Sequence, residues 1–455
     1  MAATSIVIGD VVGTGVFLKA RVMMCNVETP AMVIAVFVVA GLLSLAGALT
    51  YAELAAMMPR AGGEYVFVRE AYGRVWGFLF GWMRFFIGST GGVAALSAGL
   101  GIFLNVLAGG ALAAHAYPLA VFGAQPFSIN GVQMVAIGAI VVVTLINSAA
   151  VSVGGQIASV LATLKVVLIL GLGTAALLFG SGDWSHFASS GAGGTCEGVA
   201  VAARGGVAGF GAAMMAALWA YNGWNELTYV AGEVRDPQRN LPLALVAGIG
   251  IVGALYVFVN AAYFYVLAPE AVASVALASS VATETLARFL GPAAVKVMAA
   301  ALVMSIFSAL QVASLVCARV PYAMATDRLF FPSLGVVSPR TRVPIRALVA
   351  QSAWASVLVL SGSFDALTDY AIFSILLFSM LITCSIFTFR RRTPDAERPY
   401  RTWGYPVTPA LFLVVVGCLL VNTMITAPVQ AFTGLGLIVG GLPFYWYWSR
   451  AGASR

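Results

Sequence analysis

Val11-Val12-Gly13-Thr14-Gly15-Val16-Phe17 interrupts an apolar segment that is otherwise long enough to cross a bilayer. A glycine in a helix interior costs about 1 kcal/mol relative to alanine, and in lipid every freed backbone group must find an internal partner. Two glycines around a hydroxyl residue therefore read in one of two ways: a close helix contact of the small-x-x-x-small kind, or an unwound turn with a purpose. If the helix breaks at Gly13 and Gly15, the amides of Thr14 and Gly15 stand at the positive end of the outer half-helix. There they face an anion such as a carboxylate.

The rest of the chain is built of the same apolar material. Its 455 residues are 61% hydrophobic and 9% charged, with a mean hydropathy of +0.97. A soluble protein carries about a quarter charged residues. Too few charges remain to coat a water-exposed surface, which excludes a soluble multidomain enzyme. Apolar windows recur at 4–24, 31–57, 75–108, 128–151, 155–180, 207–231, 241–267, 292–326, 344–361, 366–389, 407–427 and 430–448. Twelve such windows predict an all-α polytopic protein embedded in the lipid bilayer. The first window leads into the second without a small-residue cleavage site, so no secretory signal is expected.

Twelve crossings put both termini on one side. Of the 24 Lys and Arg residues, seventeen fall in segments on that side, whereas only Lys19, Arg21, Arg204, Arg288 and Lys296 fall on the other; Arg84 and Lys165 lie within windows. The positive-inside rule then makes both termini cytoplasmic, in a multi-pass protein of the cell membrane. The loop arginines read as orientation signals and headgroup contacts, not as a nucleic-acid surface. The five cysteines, Cys25, Cys196, Cys317, Cys384 and Cys418, are far apart with no C-x-x-C, so neither a disulfide framework nor a zinc site is expected. With His115 and His186 the only histidines, no metal centre and no cofactor is expected. No P-loop, H-E-x-x-H or G-x-S-x-G is present, and Gly434-Leu435-Gly436 lies inside an apolar run as a close-packed helix would place it.

A second interruption is Leu218-Trp219-Ala220-Tyr221-Asn222-Gly223-Trp224-Asn225. It reads as an aromatic packing cluster or as a second break, at Gly223. A break would free the carbonyls of Trp219, Ala220 and Asn222 to accept hydrogen bonds from an ammonium group. Carboxylate at one break and ammonium at the other describe an α-amino acid. The breaks open windows 1 and 6, so ten helices divide into two units of five, as an inverted repeat with a midplane site requires.

The first-window motif resembles the signature of the amino acid-polyamine-organocation superfamily, G-[ST]-G followed by an apolar residue and Phe. The resemblance continues through Tyr51-Ala52-Glu53-Leu54, Pro59-Arg60-Ala61-Gly62-Gly63-Glu64-Tyr65, Gly232-Glu233-Val234-Arg235-Asp236-Pro237 and Ala318-Arg319-Val320. It covers essentially the whole chain and is similar to bacterial relatives of L-type and cationic amino acid transporters. It implies the LeuT-type fold. Helices 1–5 would occupy residues 1–180, an inverted second repeat residues 207–391, and two further helices residues 406–448. It also implies alternating access, with the substrate carboxylate at Thr14 and Gly15 and the amino group at carbonyls of Val11, Trp219, Ala220 and Asn222. Trp219 takes the place of the aromatic gate, and Asn225 that of a residue supporting the pocket wall. Relatives often carry Gly where this chain has Asn222, so the break could be shifted or the amide side chain could line the pocket. Mammalian relatives of one branch pair with a single-span glycoprotein; no obligatory protein partner is expected here.

Lys165 lies deep in the fifth window. An ammonium there costs at least about 2.5–3.5 kcal/mol and so faces a cavity or a partner unless it snorkels. The resemblance implies that it reaches toward the first and eighth helices, where sodium-coupled relatives hold an ion. That placement predicts sodium-independent transport and leaves protonation-linked coupling open. Ser308, Gln311 and Ser314 are candidate polar neighbours, equally suited to ordinary helix pairing. Asp10 is expected to meet cytoplasmic water, ahead of carrying a proton or meeting a cationic substrate. Glu53 and Glu226 are expected to pair with loop arginines, and Arg84 to snorkel inward.

The sequence thus predicts no enzyme, but a secondary transporter of neutral α-amino acids, working as an exchanger or a proton-coupled symporter. Neutrality follows from the lack of a carboxylate within either break. A cationic amino acid or polyamine transporter of the same fold is the alternative, and a channel or nontransporting amino acid sensor the alternative of another class.

Overall fold

Helices stand at every apolar window, and two of them are broken. The structure, a computed structural model, describes residues 2–114, 116–119, 127–149, 151–191, 193–277, 279–361 and 364–453; His115 lies outside them. The first half contains α1 (Ala2–Val11), α2 (Gly15–Val27), α3 (Pro30–Met57), α4 (Glu64–Tyr72), α5 (Arg74–Met83), α6 (Ser89–Leu107), α7 (Ala111–Ala114), α8 (Gly131–Ala149) and α9 (Val151–Phe179). Then come α10 (Gly206–Tyr221), α11 (Pro237–Val266), α12 (Pro269–Ala273), α13 (Val281–Leu290), α14 (Pro292–Cys317), α15 (Arg319–Thr326), α16 (Ile345–Ser361) and α17 (Phe364–Arg392). The chain closes with α18 (Val407–Thr426), α19 (Pro428–Val439) and α20 (Leu442–Ala453). A short antiparallel hairpin, β1 (Ala116–Leu119) and β2 (Phe127–Asn130), precedes α8.

Among the described residues nine helical stretches are long and apolar enough to cross a membrane, so the protein is a polytopic helical membrane protein. Their outward faces carry Leu145, Leu178, Val160, Val167, Val414 and Ile425, all exposed. Side chains of this kind are stable outward only where the surrounding solvent is itself hydrocarbon. Helix starts follow local chemistry: Thr29 accepts a hydrogen bond from the Met32 amide at the head of α3, with Pro30 at the first helical position, where its missing N–H is not needed.

The bundle packs α3 along α11 and α6 along α14, while α1 is held between α9, α11 and α14, and α10 lies against α2 and α3. Both helix interruptions therefore fall in the interior.

One expectation about the cysteines is overturned. Cys25, near the end of α2, and Cys196, in the segment between α9 and α10, form a disulfide across 171 residues of sequence. Nothing in their spacing announces the pair, because only the packing of α2 against that segment brings them together. Asn26 reinforces the junction by donating to the Ala203 carbonyl at 2.6 Å and accepting from the Gly205 amide at 2.7 Å.

Candidate functional site

The first break spans Val12 to Thr14. The Gly13 amide turns back to the Val11 carbonyl at 2.8 Å instead of continuing the helical ladder, and α2 restarts with its first turn returning to the Thr14 carbonyl. The open amide end of α2 consequently points inward, carrying the positive end of its dipole. The second break falls at Asn222 and Gly223. Asn222 is extended (φ −63°, ψ 149°) and Gly223 has φ 114°, a left-handed conformation open to glycine and strained for other residues. A tight helical segment, Trp224–Glu233, follows.

The two breaks touch. Trp219 donates from Nε1 to the Thr14 hydroxyl at 3.4 Å. A Cβ on Gly15 would overlap the Ala220 backbone, and one on Gly223 would lie 3.0 Å from the Asp10 carboxyl carbon. Between them is a small cavity lined by Val11, Gly13, Thr14, Gly15, Trp219, Asn222 and Gly223 from the breaks. Gly88, Ser89, Gly92 and Leu96 line it from the third window, Ala313 from the eighth, and Asp10 and Glu226 complete the lining. Gly88 closes a π-helical turn, Arg84–Gly88, between α5 and α6; such turns realign a helix locally, here beside the cavity.

The chain matches the family described as amino acid permease over residues 1–445. It belongs to that family. Among curated proteins it is 30% identical over 459 residues to the serine/threonine exchanger SteT of Bacillus subtilis, covering 99% of this chain and 96% of the relative. It is 28% identical to the human b(0,+)-type amino acid transporter 1 and 25% identical to the human cystine/glutamate transporter, each over 98% of this chain, covering 86% and 84% of those proteins.

In this permease the remaining expected residues stand one layer behind the cavity. Lys165 is fully buried, and its Nζ donates to the Gly9 carbonyl at 2.6 Å and the Val12 carbonyl at 2.7 Å. It thus places a cation at the negative end of α1. Its partners are backbone carbonyls of the first break; Gln311 of α14 instead donates to Asn147 Oδ1 at 2.8 Å. Ala220 does not line the cavity, and its carbonyl is already taken: the Tyr256 hydroxyl bridges the Ala220 carbonyl at 2.9 Å and the Val11 carbonyl at 3.0 Å. Asn225 also stands outside the lining, its amide donating to Glu64 Oε2 at 3.0 Å. Glu64, which also accepts from the Tyr229 hydroxyl, sits in α4, and burial pushes its carboxyl up from the ordinary value against the pull of Arg84, Tyr229 and Asn225.

Three charged residues depart from expectation. Asp10 faces the cavity and is 7% exposed, not bathed in water, because α1 docks against the bundle wall instead of ending in solvent. Arg84 does not snorkel: it is buried and donates to Glu226 Oε1 at 2.6 Å, with its guanidinium over the Tyr229 ring at 5.2 Å. Glu226 accordingly pairs with a membrane-buried arginine and not a loop one. Glu53 does meet arginines of the expected kind, accepting from Arg390 at 2.7 Å and lying 3.5 Å from Arg398. Sequence reasoning missed Tyr256, since a tyrosine inside an apolar window carries no spacing signal. It also undervalued Asp10, whose position one turn before the first break was the available clue.

Proposed function

We infer that this permease is a sodium-independent secondary transporter that exchanges neutral L-amino acids by alternating access in a LeuT-type arrangement. The observation that carries this reading is the meeting of two interrupted helices at Thr14–Trp219 and Gly15–Ala220 around one cavity. The open amides of α2 suit a carboxylate, and carbonyls at the C-terminal ends of α1 and α10 suit an ammonium. Thr14, Gly15, Val11, Trp219 and Asn222 would hold the substrate, with Trp219 as the gate; Val11 and Ala220 would offer their carbonyls only once Tyr256 releases them. Asn225 would brace the wall through Glu64. Twelve spans fit the placement of the helices. The second window packs on the seventh and the third on the eighth, an offset of five that supports inverted repeats at 1–180 and 207–391 with two helices at 406–448.

Lys165 supports sodium independence, because its Nζ, between α9 and α1, takes up the Gly9 and Val12 carbonyls that a metal cation at that place would need as ligands. The disulfide supports cytoplasmic termini, since Cys25 and Cys196 lie at the far end of the first window from the N-terminus, and disulfides persist on the oxidising side. The likeness to the bacterial serine/threonine exchanger makes serine and threonine the first substrates to try. Proteoliposomes loaded with unlabelled serine should take up labelled serine equally in sodium and choline buffers. Uptake that requires sodium, or no flux with any of the twenty amino acids, would remove the reading.

A further inference from the structure

Asp10 and Glu226 line the same cavity and act on each other electrostatically, one from α1 and the other from the segment after the second break. Glu226 is fully engaged: Oε1 accepts from Arg84 and Oε2 lies 3.0 Å from the Cys317 thiol. Asp10 is different. Its Oδ2 is buried and receives no hydrogen bond from an N–H or O–H donor among the described residues, although Asp10 lines the cavity. The neighbouring cations do not fill that place. Lys165, on α9, acts on Asp10 only through space while its Nζ serves Gly9 and Val12, and Arg84, in the π turn, stands behind Glu226 and is not part of the lining. Behind this pair, Glu64 of α4 is matched to Tyr229 and Asn225, and the Tyr256 hydroxyl of α11 is spent on two carbonyls. Glu226 has its counter-charge in Arg84, whereas the buried Asp10 oxygen on the same cavity has none in contact, and a buried unpartnered carboxylate oxygen is among the most unfavourable groups a protein can hold.

We propose that the Asp10–Glu226 pair is a binding site for one positive charge, held as a proton beside a neutral substrate and supplied instead by the side-chain ammonium of a dibasic amino acid. The inference rests on the cavity being the amino acid site. When a dibasic substrate enters, its ammonium meets Asp10 Oδ2 and the carboxyl proton leaves to water, so the charge of the site is unchanged. A neutral amino acid leaves the proton in place.

The test is calorimetric titration of the purified full chain with serine and with lysine, each in two buffers of different ionisation heat, from about pH 5 to about pH 8. Lysine is expected to release about one proton per molecule bound and serine none, with the lysine-to-serine affinity ratio rising with pH. In Asp10→Asn the proton release should vanish and the ratio should fall about tenfold or more, the loss of one charge-assisted hydrogen bond. If serine binds and lysine does not, the proposal is overturned, because no dibasic ammonium then takes the place of the proton. Equal proton counts for the two ligands, together with a pH-independent ratio or pH-independent serine exchange, overturn it; these readouts come from the unmodified protein and do not depend on the variant folding. If no amino acid binds at all, the amino acid site itself is refuted, which is a different result from binding without proton release.

Discussion

Replacing Lys165 separates its role in motion from its role in folding. Lys165→Ala removes two charge-assisted hydrogen bonds, to Gly9 and Val12, and leaves both carbonyls facing a void. Each orphaned carbonyl costs about 1–3 kcal/mol. The same change also removes a buried ammonium, whose desolvation is unfavourable by several kcal/mol. The two effects oppose each other in global stability, so the unfolding temperature should move by no more than about 4 °C. They do not cancel at α1, where both lost bonds anchor a ten-residue helix. A loss of about 3 kcal/mol in the docking of α1 shifts its docked population on the order of a hundredfold. Serine exchange in proteoliposomes should therefore fall by at least about tenfold, with thermal unfolding in detergent measured in parallel. Wild-type flux at every pH tested would refute the reasoning, and so would an unfolding temperature that collapses together with the flux.

Gly15→Val should abolish serine binding, because the new side chain collides with Ala220 and pries the breaks apart; an unchanged Kd would place the substrate elsewhere. Tyr256→Phe takes the hydroxyl from the Ala220 carbonyl and leaves the Val11 carbonyl only the Gly13 amide, and should lower stability by about 1–3 kcal/mol while slowing exchange, as read by denaturation and flux; no change in either would show the bridge to be idle. Arg84→Ala leaves Glu226 buried and unpaired, with an expected loss of about 3–5 kcal/mol, and Arg84→Ala combined with Glu226→Gln should recover part of it; an additive double variant would deny the coupling. After mild reduction of intact cells, Cys25 and Cys196 should become labelled by a membrane-impermeant maleimide added outside; labelling only after lysis would invert the topology.

Much of the site was legible because it is written in backbone chemistry. Glycines at 13, 15 and 223 within apolar windows have few uses other than close contacts and breaks, and the structure uses them for both. Lys165 was legible for the complementary reason: a lone charge in hydrocarbon must have a partner, even though the sequence did not say that the partners were carbonyls of α1. The second break was legible at Gly223 for the same reason, but that the Ala220 carbonyl beside it is held by Tyr256 was not. Pairings between distant segments were likewise hidden. Arg84 with Glu226, Tyr256 with two carbonyls, and Cys25 with Cys196 are set by how helices pack, and no local pattern encodes them.

The two halves of the first helix are moored by different means. The second half, α2, is stitched covalently to the segment between α9 and α10, whereas α1 hangs from the Lys165 amine and the Tyr256 hydroxyl. Hydrogen bonds of that kind can be broken and remade within each transport cycle, while a covalent stitch cannot. Any displacement of α2 at Cys25 must therefore carry Cys196 with it, whereas α1 can shift by exchanging hydrogen bonds alone.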